Sequence, residues 1–385
     1  MTAHARIGVG EVRLSATARR YVNDALDSNR LSYGKYSRRF ESEFARIHSR
    51  RFACFLNSGT SALHVGLAAL KEQYGWKDGA EVLVPAVTFV ASLNVVLHNN
   101  LTPVLVDIRL SDYGMGPEQV SGILGRREAS GEPLPVAVMP VHLFGRPSSP
   151  NIQWLARSLG VKVITDSCET MFVEGCAEGD VSCFSTYTCH VINTGVGGFA
   201  TTDDPDLAAL IRSYANHGRN GIYTGIDDAL GVRETMDARF TFDRPGFSYR
   251  ATELEAAIGC AALETLGDEF VAREERTADL VMALSDLPLA LPRVGGSAHM
   301  MLPILAEDGV RDDLCEHLEQ CGIETRQMLP LTNQPYLKRL MGDDLEDRFP
   351  VAKMVNERGF YVASHAYLTK ADIKRMSDAF HEFYQ

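Results

Sequence analysis

A chain of 385 residues is long enough for one large two-part domain or two or three smaller ones, with a sizeable core. Its 45% hydrophobic and 23% charged residues are ordinary for a globular protein, and its net charge of −12 argues against nucleic acid or an anionic membrane as the main partner. The N-terminus lacks the apolar stretch of a signal peptide, and the longest apolar run, residues 82–97, is too short and too interrupted to span a bilayer. We therefore expect a cytoplasmic protein with no membrane partner.

The eight cysteines do not follow a metal-binding pattern. Four of them lie between Cys168 and Cys189, but none forms the C-x-x-C pair that is typical of zinc and iron–sulfur sites. Buried thiols in a reducing compartment are the better interpretation, and we expect no metal ion.

Short β-branched runs alternate with amphipathic stretches over the first two thirds of the chain. This pattern is typical of βαβ units on a largely parallel sheet. The predicted strands cover residues 53–56, 81–85, 103–107, 135–142, 162–166, 181–187 and 198–202. Three helices are predicted here. The first follows the 57–60 turn and ends at residue 70, and the other two cover residues 88–98 and 152–158.

The character of the sequence changes after residue 246. Residues 251–284 have a long helical pattern, and the remainder mixes short strands with two helices. We predict a large domain of residues 1–245 and a smaller C-terminal α/β domain of residues 246–385. The N-terminal segment could pack on the smaller domain.

A possible anion site lies where the first strand gives way to a helix. Ser58, Gly59 and Thr60 occupy this turn. Free backbone amides and the helix dipole attract anions at such a position, and hydroxyl groups add donors. Serine and threonine before a helix are more often simple N-caps, so both interpretations stay open.

Other polar and aromatic residues mark the ends of later elements. Asp166 ends the 162–166 strand, and Ser185 lies near the end of the 181–187 strand. Ligands bind at the carboxyl ends of parallel strands, although a single aspartate is more often a turn residue. Phe89, after the second strand, is either a core residue or an aromatic platform for a ligand ring. The 216–219 segment, Asn-His-Gly-Arg, is typical of a helix C-cap.

Eight short segments, in their order and spacing, resemble the DegT/DnrJ/EryC1/StrS family of pyridoxal-phosphate-dependent sugar aminotransferases. These segments are residues 58–63, 81–89, 103–107, 140–145, 166–169, 216–219, 246–250 and 322–326. The resemblance implies aminotransferase fold type I, an α/β fold whose large domain has a mostly parallel seven-stranded sheet. It also implies a homodimer with shared active sites.

The resemblance assigns cofactor contacts by position. It implies phosphate contacts from the first turn and from the 181–187 strand, namely Ser58, Gly59, Thr60 and Ser185. Phe89 takes the position of the aromatic residue that stacks on the ring, and Asp166 that of the partner of the pyridine nitrogen. Glu169 falls beside the phenolic oxygen of the cofactor, where most members of the family have glutamine.

The resemblance also indicates contacts beyond the cofactor ring. Ser248 replaces an asparagine that reaches the phosphate bound by the neighbouring subunit. The candidate substrate contacts are His217, Arg219, Arg250 and Arg326.

His190 stands where the family's Schiff-base lysine is expected, and no lysine occurs between Lys162 and Lys338. This replacement resembles the nucleotide-sugar 3-dehydratases of 4-keto-6-deoxyhexoses, which hold pyridoxamine phosphate non-covalently. An imidazole with an unperturbed pKa of about 6.5 can act as a base and then as an acid near neutrality. We therefore expect a dehydratase that removes the C3 hydroxyl of a nucleotide sugar. His190 would move the proton at C4′ of the cofactor, and an amino donor such as glutamate would regenerate the amine.

Two other functions remain open. An ordinary nucleotide-sugar aminotransferase would aminate the substrate, and a non-catalytic homologue would only bind cofactor or sugar. A reductive dehydratase with an iron–sulfur cluster is excluded, because the Cys-x-Cys pair of that subset is absent.

Overall fold

The computed structural model describes residues 6–219, 240–295 and 299–385. Through residue 219 the elements, in chain order, are α1 Ala16–Asp27, α2 Lys35–Ile47, β1 Phe52–Leu56, α3 Gly59–Gln73, β2 Glu81–Pro85, α4 Val90–His98, β3 Thr102–Val106, α5 Pro117–Ser130, β4 Ala137–Val138, α6 Pro150–Ser158, β5 Lys162–Asp166, β6 Val181–Ser185, β7 Gly198–Thr202 and α7 Pro205–Ala215. The later elements are α8 Glu253–Glu264, α9 Leu266–Ala283, β8 Met301–Leu305, α10 Arg311–Gln320, β9 Arg326–Gln327, α11 Pro335–Met341, a 3-10 turn Leu345–Arg348, α12 Pro350–Arg358, β10 Gly359–Ala363 and α13 Lys370–Phe383.

The larger sheet has seven strands in the order β1-β7-β6-β5-β4-β2-β3. The pairs from β6 to β3 are parallel, whereas β7 runs antiparallel to both of its neighbours. Strands β5, β6 and β7 consist almost entirely of buried residues, as expected for strands covered on both faces. The predicted α/β fold class with a mostly parallel seven-stranded sheet is confirmed.

The order of the strands places two predicted site residues side by side. Asp166 is the last residue of β5, and Ser185 is the last residue of the adjacent parallel strand β6. In the register of this pair, Asp166 lies opposite Cys183. Helix α3 packs over the same part of the sheet, so its N-terminus lies at the carboxyl ends of these strands. This edge is where an α/β sheet binds ligands.

A smaller antiparallel sheet follows in the order β8-β10-β9. Its core includes the first described residues, because Ile7 pairs with Ile323 and is buried among the apolar side chains of this region. Helix α8 instead packs on α1 and α2. The boundary near residue 246 stays a prediction.

Three element predictions need correction. The predicted strand 135–142 shrinks to β4, Ala137–Val138, because Pro140 has no amide hydrogen to continue a regular ladder. The predicted helix 251–284 is two helices, α8 and α9, which meet at Thr265. Four α-helices, rather than two, follow residue 300. Two of them begin at Pro335 and Pro350, and proline fits a first helical turn although it suggests a break in sequence.

Across the part of the chain that the structure describes, the helices are too short or too polar to traverse a bilayer.

Candidate active site

A cavity of about 470 Å³ opens at the carboxyl ends of β5 and β6. Its floor comes from the large sheet and the N-terminus of α3, and the smaller sheet contributes side chains such as Arg326 and Tyr361. Nine of the residues proposed from sequence line it: Ser58, Gly59, Thr60, Phe89, Asp166, Glu169, Ser185, His190 and Arg326. Residues more than 260 positions apart in the chain therefore meet in one space.

The N-terminus of α3 forms one end of the cavity. The Ser58 side chain caps the helix, since its hydroxyl accepts a hydrogen bond from the Ser61 amide at 3.0 Å. The N-cap interpretation thus holds for this side chain, while Gly59 and Thr60 present the first helical turn to the cavity. A Cβ atom on Gly59 would come within 2.8 Å of Cys168 Sγ and Ser185 Cβ, so only glycine permits this close packing. Helix amides and the adjacent Ser185 hydroxyl suit a phosphate group.

Asp166 lies in the cavity wall and is almost fully buried, with 4% exposure. Its Oδ2 atom accepts a hydrogen bond from Ser92 Oγ at 2.6 Å, and Oδ1 accepts one from the Cys168 amide at 3.2 Å. Ser92 Oγ lies 2.7 Å from Thr88 Oγ1, which completes a short polar chain behind the carboxylate. A carboxylate held in this way can face the protonated nitrogen of a pyridine ring.

Phe89 is the N-cap residue of α4 and leaves 59% of its surface exposed. Because it lines the cavity, the interpretation as a core residue is wrong. A large exposed aromatic side chain beside a buried carboxylate is suited to cover one face of a planar ring.

Glu169 is buried on the other side of the cavity. Its Oε2 atom accepts a hydrogen bond from the Phe144 amide at 3.2 Å. Burial, assisted by the nearby charge of Asp166, raises the pKa of Glu169 to about 7 despite that hydrogen bond. Near neutral pH Glu169 is thus a mixture of two forms, a protonated carboxyl group that can donate a hydrogen bond and an ionised carboxylate that can only accept one.

His190 lies in the loop between the antiparallel strands β6 and β7 and lines the cavity. Its backbone amide donates to the Tyr187 carbonyl at 2.8 Å, which fixes a tight turn. Burial lowers the pKa of His190 to about 4; a contact with the Cys168 backbone opposes this shift, and the charge of Arg273 adds to it. The imidazole is therefore neutral at pH 7. Its Nδ1 atom is buried and has no hydrogen-bond partner within the described ranges.

These residues together fit pyridoxal phosphate. The helix N-terminus and Ser185 suit its phosphate, Asp166 its ring nitrogen and Phe89 its ring face. The side chains that line the cavity in the described structure do not include a lysine, whereas the imidazole of His190 does line it.

The remaining proposed residues lie outside the cavity and form a second cluster near the start of the C-terminal region. Arg250 Nη2 lies 3.4 Å from His217 Nε2 and 3.5 Å from Ser248 Oγ. Arg219 lies over the exposed rings of Phe240 and Phe242, 5.8 Å and 5.5 Å from their centroids. Within one chain, the structure does not bring these four residues to the candidate active site.

The sequence interpretation missed several residues of the cavity. Ser92 donates a hydrogen bond to Asp166 and lies in contact with Thr88. The only sequence signal for this pair was the spacing of four residues between the two hydroxyl side chains. Tyr187, Cys189 and Tyr361 also line the cavity. Tyr361 comes from β10, and a lone tyrosine in an apolar strand offers no sequence signal for a site.

Comparisons with known proteins identify the family of the chain. The model of the DegT/DnrJ/EryC1/StrS aminotransferase family matches residues 13–381. The chain is 31% identical to GDP-perosamine synthase from Caulobacter vibrioides, over 96% of each protein. It is 27% identical to dTDP-4-dehydro-2,6-dideoxy-D-glucose 3-dehydratase from Saccharopolyspora spinosa, over 92% of this chain and 81% of that protein.

A solved structure of GDP-4-keto-6-deoxy-D-mannose-3-dehydratase from E. coli, with bound hydrated pyridoxal phosphate, has the same fold. It superposes with a TM-score of 0.83 and 22% identity, over 98% of this chain and 100% of that one. The chain therefore belongs to the DegT/DnrJ/EryC1/StrS aminotransferase family and is a pyridoxal-phosphate-dependent enzyme of fold type I.

Proposed function

We propose that this enzyme is a dehydratase that uses pyridoxamine phosphate to remove the C3 hydroxyl of a 4-keto-6-deoxy nucleotide sugar. The observation that carries the proposal is His190, a neutral imidazole that lines the cavity. The resemblance to the family puts this residue at the position of the Schiff-base lysine. Without that lysine the cofactor is held non-covalently. An imidazole at this place can accept and return a proton.

When bound, pyridoxamine phosphate supplies an amine that condenses with the ketone of the sugar and a ring that accepts electrons. The protein's part is to hold the ring and to move the proton. The first turn of α3 and Ser185 bind the phosphate, Asp166 keeps the ring nitrogen protonated, and Phe89 covers one face. These contacts would orient the cofactor relative to His190.

His190 takes the proton from C4′ and then donates it to the departing hydroxyl. Because burial lowers its pKa to about 4, the imidazole of His190 is unprotonated at pH 7 and can accept a proton in the first step. The protonated imidazole of His190 is then acidic enough to donate this proton in the second step. One residue can therefore serve both stages.

The substrate class rests on the relatives, whose names include GDP- and dTDP-linked sugars. Within the cavity, Arg326 is the cationic side chain that suits an anionic group of the substrate or the carboxylate of an amino donor such as glutamate. His217, Arg219, Ser248 and Arg250 lie outside the cavity of their own chain. We include in the proposal a homodimer in which this cluster serves the neighbouring site, in a cytoplasmic enzyme.

Product analysis tests the proposal. The enzyme is incubated with pyridoxamine phosphate, glutamate and a panel of nucleotide-linked 4-keto-6-deoxy sugars, and the products are weighed by mass spectrometry. We expect a ketosugar that lacks one oxygen, and His190→Ala is expected to lose this activity by about 10² to 10⁴-fold. His190→Lys is the matched control, because it restores an amine that borohydride can trap on the cofactor.

A second candidate is a nucleotide-sugar aminotransferase, which is favoured by the similarity to GDP-perosamine synthase. The same assay separates the two functions, since an aminotransferase would yield an amino sugar that keeps its C3 oxygen. An amino sugar from the wild-type enzyme would refute the dehydratase proposal.

A further inference from the structure

Three potential metal ligands meet in the C-terminal region, outside the cofactor cavity. The ligand atoms of His317, Cys321 and Glu382 all lie within 4.8 Å of one another. His317 and Cys321 are one helical turn apart at the end of α10, and Glu382 lies near the end of α13. None of the three lines the candidate active site.

The spacing of two of these atoms matches tetrahedral coordination. Cys321 Sγ lies 3.7 Å from His317 Nε2. Zinc bonds of about 2.3 Å to sulfur and about 2.0–2.1 Å to nitrogen, at a tetrahedral angle, place the two ligands about 3.6 Å apart. A metal ion could therefore bind both atoms with little movement, and the Glu382 carboxylate offers a third ligand.

The two helices that carry these residues are already held together. Arg375 of α13 donates a hydrogen bond to the Cys321 carbonyl at 2.6 Å. The rings of His317 and Phe383 pack with their centroids 5.8 Å apart. His317 Nε2 also lies 3.0 Å from the Ala379 carbonyl, and metal binding would replace this hydrogen bond. The site is thus largely formed before an ion arrives.

We propose that His317, Cys321 and Glu382 form a zinc site that links the last helix, α13, to α10. A thiolate, an imidazole and a carboxylate are the ligands that zinc prefers, and a water molecule can complete the tetrahedron. The cysteine spacing gave no sign of this site, because only one of its ligands is a cysteine and Glu382 lies on a distant helix.

The test uses full-length, cofactor-loaded enzyme and the metal ion alone. Zinc affinity and stoichiometry are measured by titration, and the sulfur ligand is identified by X-ray absorption and by the visible spectrum of the cobalt form. We expect a zinc–sulfur distance of about 2.3 Å in the wild type. Both Cys321→Ser and Glu382→Gln should weaken binding at least tenfold.

Matched controls are available on α10 itself. Cys315→Ser removes a neighbouring thiol, and Glu316→Gln removes an exposed carboxylate; both should leave zinc affinity unchanged. Unchanged affinity in Cys321→Ser, or a zinc ion without a sulfur ligand, would overturn the proposal. Turnover should be the same in Cys321→Ser as in the wild type, so the zinc site and the proposed reaction are tested separately.

Discussion

The carboxyl group of Glu169 has a raised pKa because it is buried in the cavity wall. The resemblance to the family implies that a neutral glutamine is usual at this position. With a pKa of about 7, Glu169 is itself largely neutral below neutrality and can donate a hydrogen bond as an amide does. If Glu169 lies beside the cofactor's phenolic oxygen, as the resemblance to the family implies, its raised pKa lets it donate a hydrogen bond there.

This raised pKa predicts a pH-dependent cost in stability. The unfolded chain ionises Glu169 near its ordinary pKa of about 4.3, whereas the folded protein holds the proton up to about pH 7. The neutral form therefore contributes stability that is present below the ordinary value and is lost as pH rises through 7. The Glu169→Gln variant has no carboxyl group at this position and should not lose this stability as pH rises. In cofactor-free protein, the unfolding free energy of Glu169→Gln minus that of the wild type should therefore increase by at most about 3 kcal/mol between pH 4.5 and 8.

Denaturant unfolding of both proteins across this range measures the effect. A constant difference between Glu169→Gln and wild type would show that Glu169 ionises normally in the folded enzyme.

The proton affinity of His190 depends on a residue outside the cavity. Arg273 is fully buried, and its Nη1 atom lies 3.4–3.5 Å from the carbonyls of His299, Met300 and Ser364. Its charge helps to lower the pKa of His190, after burial itself. Replacing the charge should raise that pKa. His190 must be neutral to accept a proton. The acid limb of the pH–activity profile should therefore move to higher pH.

The measurement is the pH dependence of kcat/KM for Arg273→Met and Arg273→Lys. The lysine variant keeps the charge and controls for the change in packing, so its acid limb should stay close to that of the wild type. Equal shifts in both variants would show that packing, and not charge, sets the proton affinity of His190.

At the scale of elements, the phosphate end of the site depends on how closely α3 approaches β6. Gly59 sets this distance, since a methyl group there would meet Cys168 and Ser185 at 2.8 Å. Gly59→Ala should push the helix away, cost about 1–3 kcal/mol in stability and weaken cofactor binding. Gly125→Ala in α5 is the matched control, because a Cβ atom there meets open space and alanine favours the helix.

Cofactor affinity by fluorescence titration and stability by thermal unfolding distinguish the two variants. If Gly59→Ala bound cofactor as tightly as Gly125→Ala, the first turn of α3 would not be the phosphate site.

The elements that could be predicted from sequence are those whose strands are buried on both faces. Strands β2, β5 and β7 have the predicted bounds because their apolar runs stop at polar or turn residues. Strand β4 was overestimated, since periodicity does not register the missing amide of Pro140. The C-terminal remainder was predicted to have two helices and has four; α11 and α12 each begin with a proline, which resembles a break in sequence.

At the scale of the whole molecule, the candidate site is assembled from both sheets. Sequence motifs identified the site residues at the carboxyl ends of the parallel strands, because in a βαβ pattern these ends lie at the same edge of the sheet. They could not identify Tyr361 or the support of Asp166 by Ser92, since these depend on packing between distant segments. The cluster of Arg250, His217 and Ser248 stays outside the cavity of its own chain.

This cluster predicts complementation between subunits. If Arg250 serves the neighbouring site, His190→Ala and Arg250→Ala homodimers should each be weakly active. Mixed dimers, formed by refolding or co-expression, should recover part of the activity, because one of their two sites is intact. Mixtures no more active than either parent would show that each chain completes its own site.

The most direct test of the account concerns the proton at C4′ of the cofactor. Wild-type enzyme, pyridoxal phosphate and glutamate are mixed in deuterium oxide, and the deuterium that enters C4′ of the resulting pyridoxamine phosphate is followed by mass spectrometry. We predict that wild type incorporates one deuterium and that His190→Ala is slower by about 10² to 10⁴-fold, with cofactor affinity retained. Incorporation at the wild-type rate in His190→Ala would contradict the account.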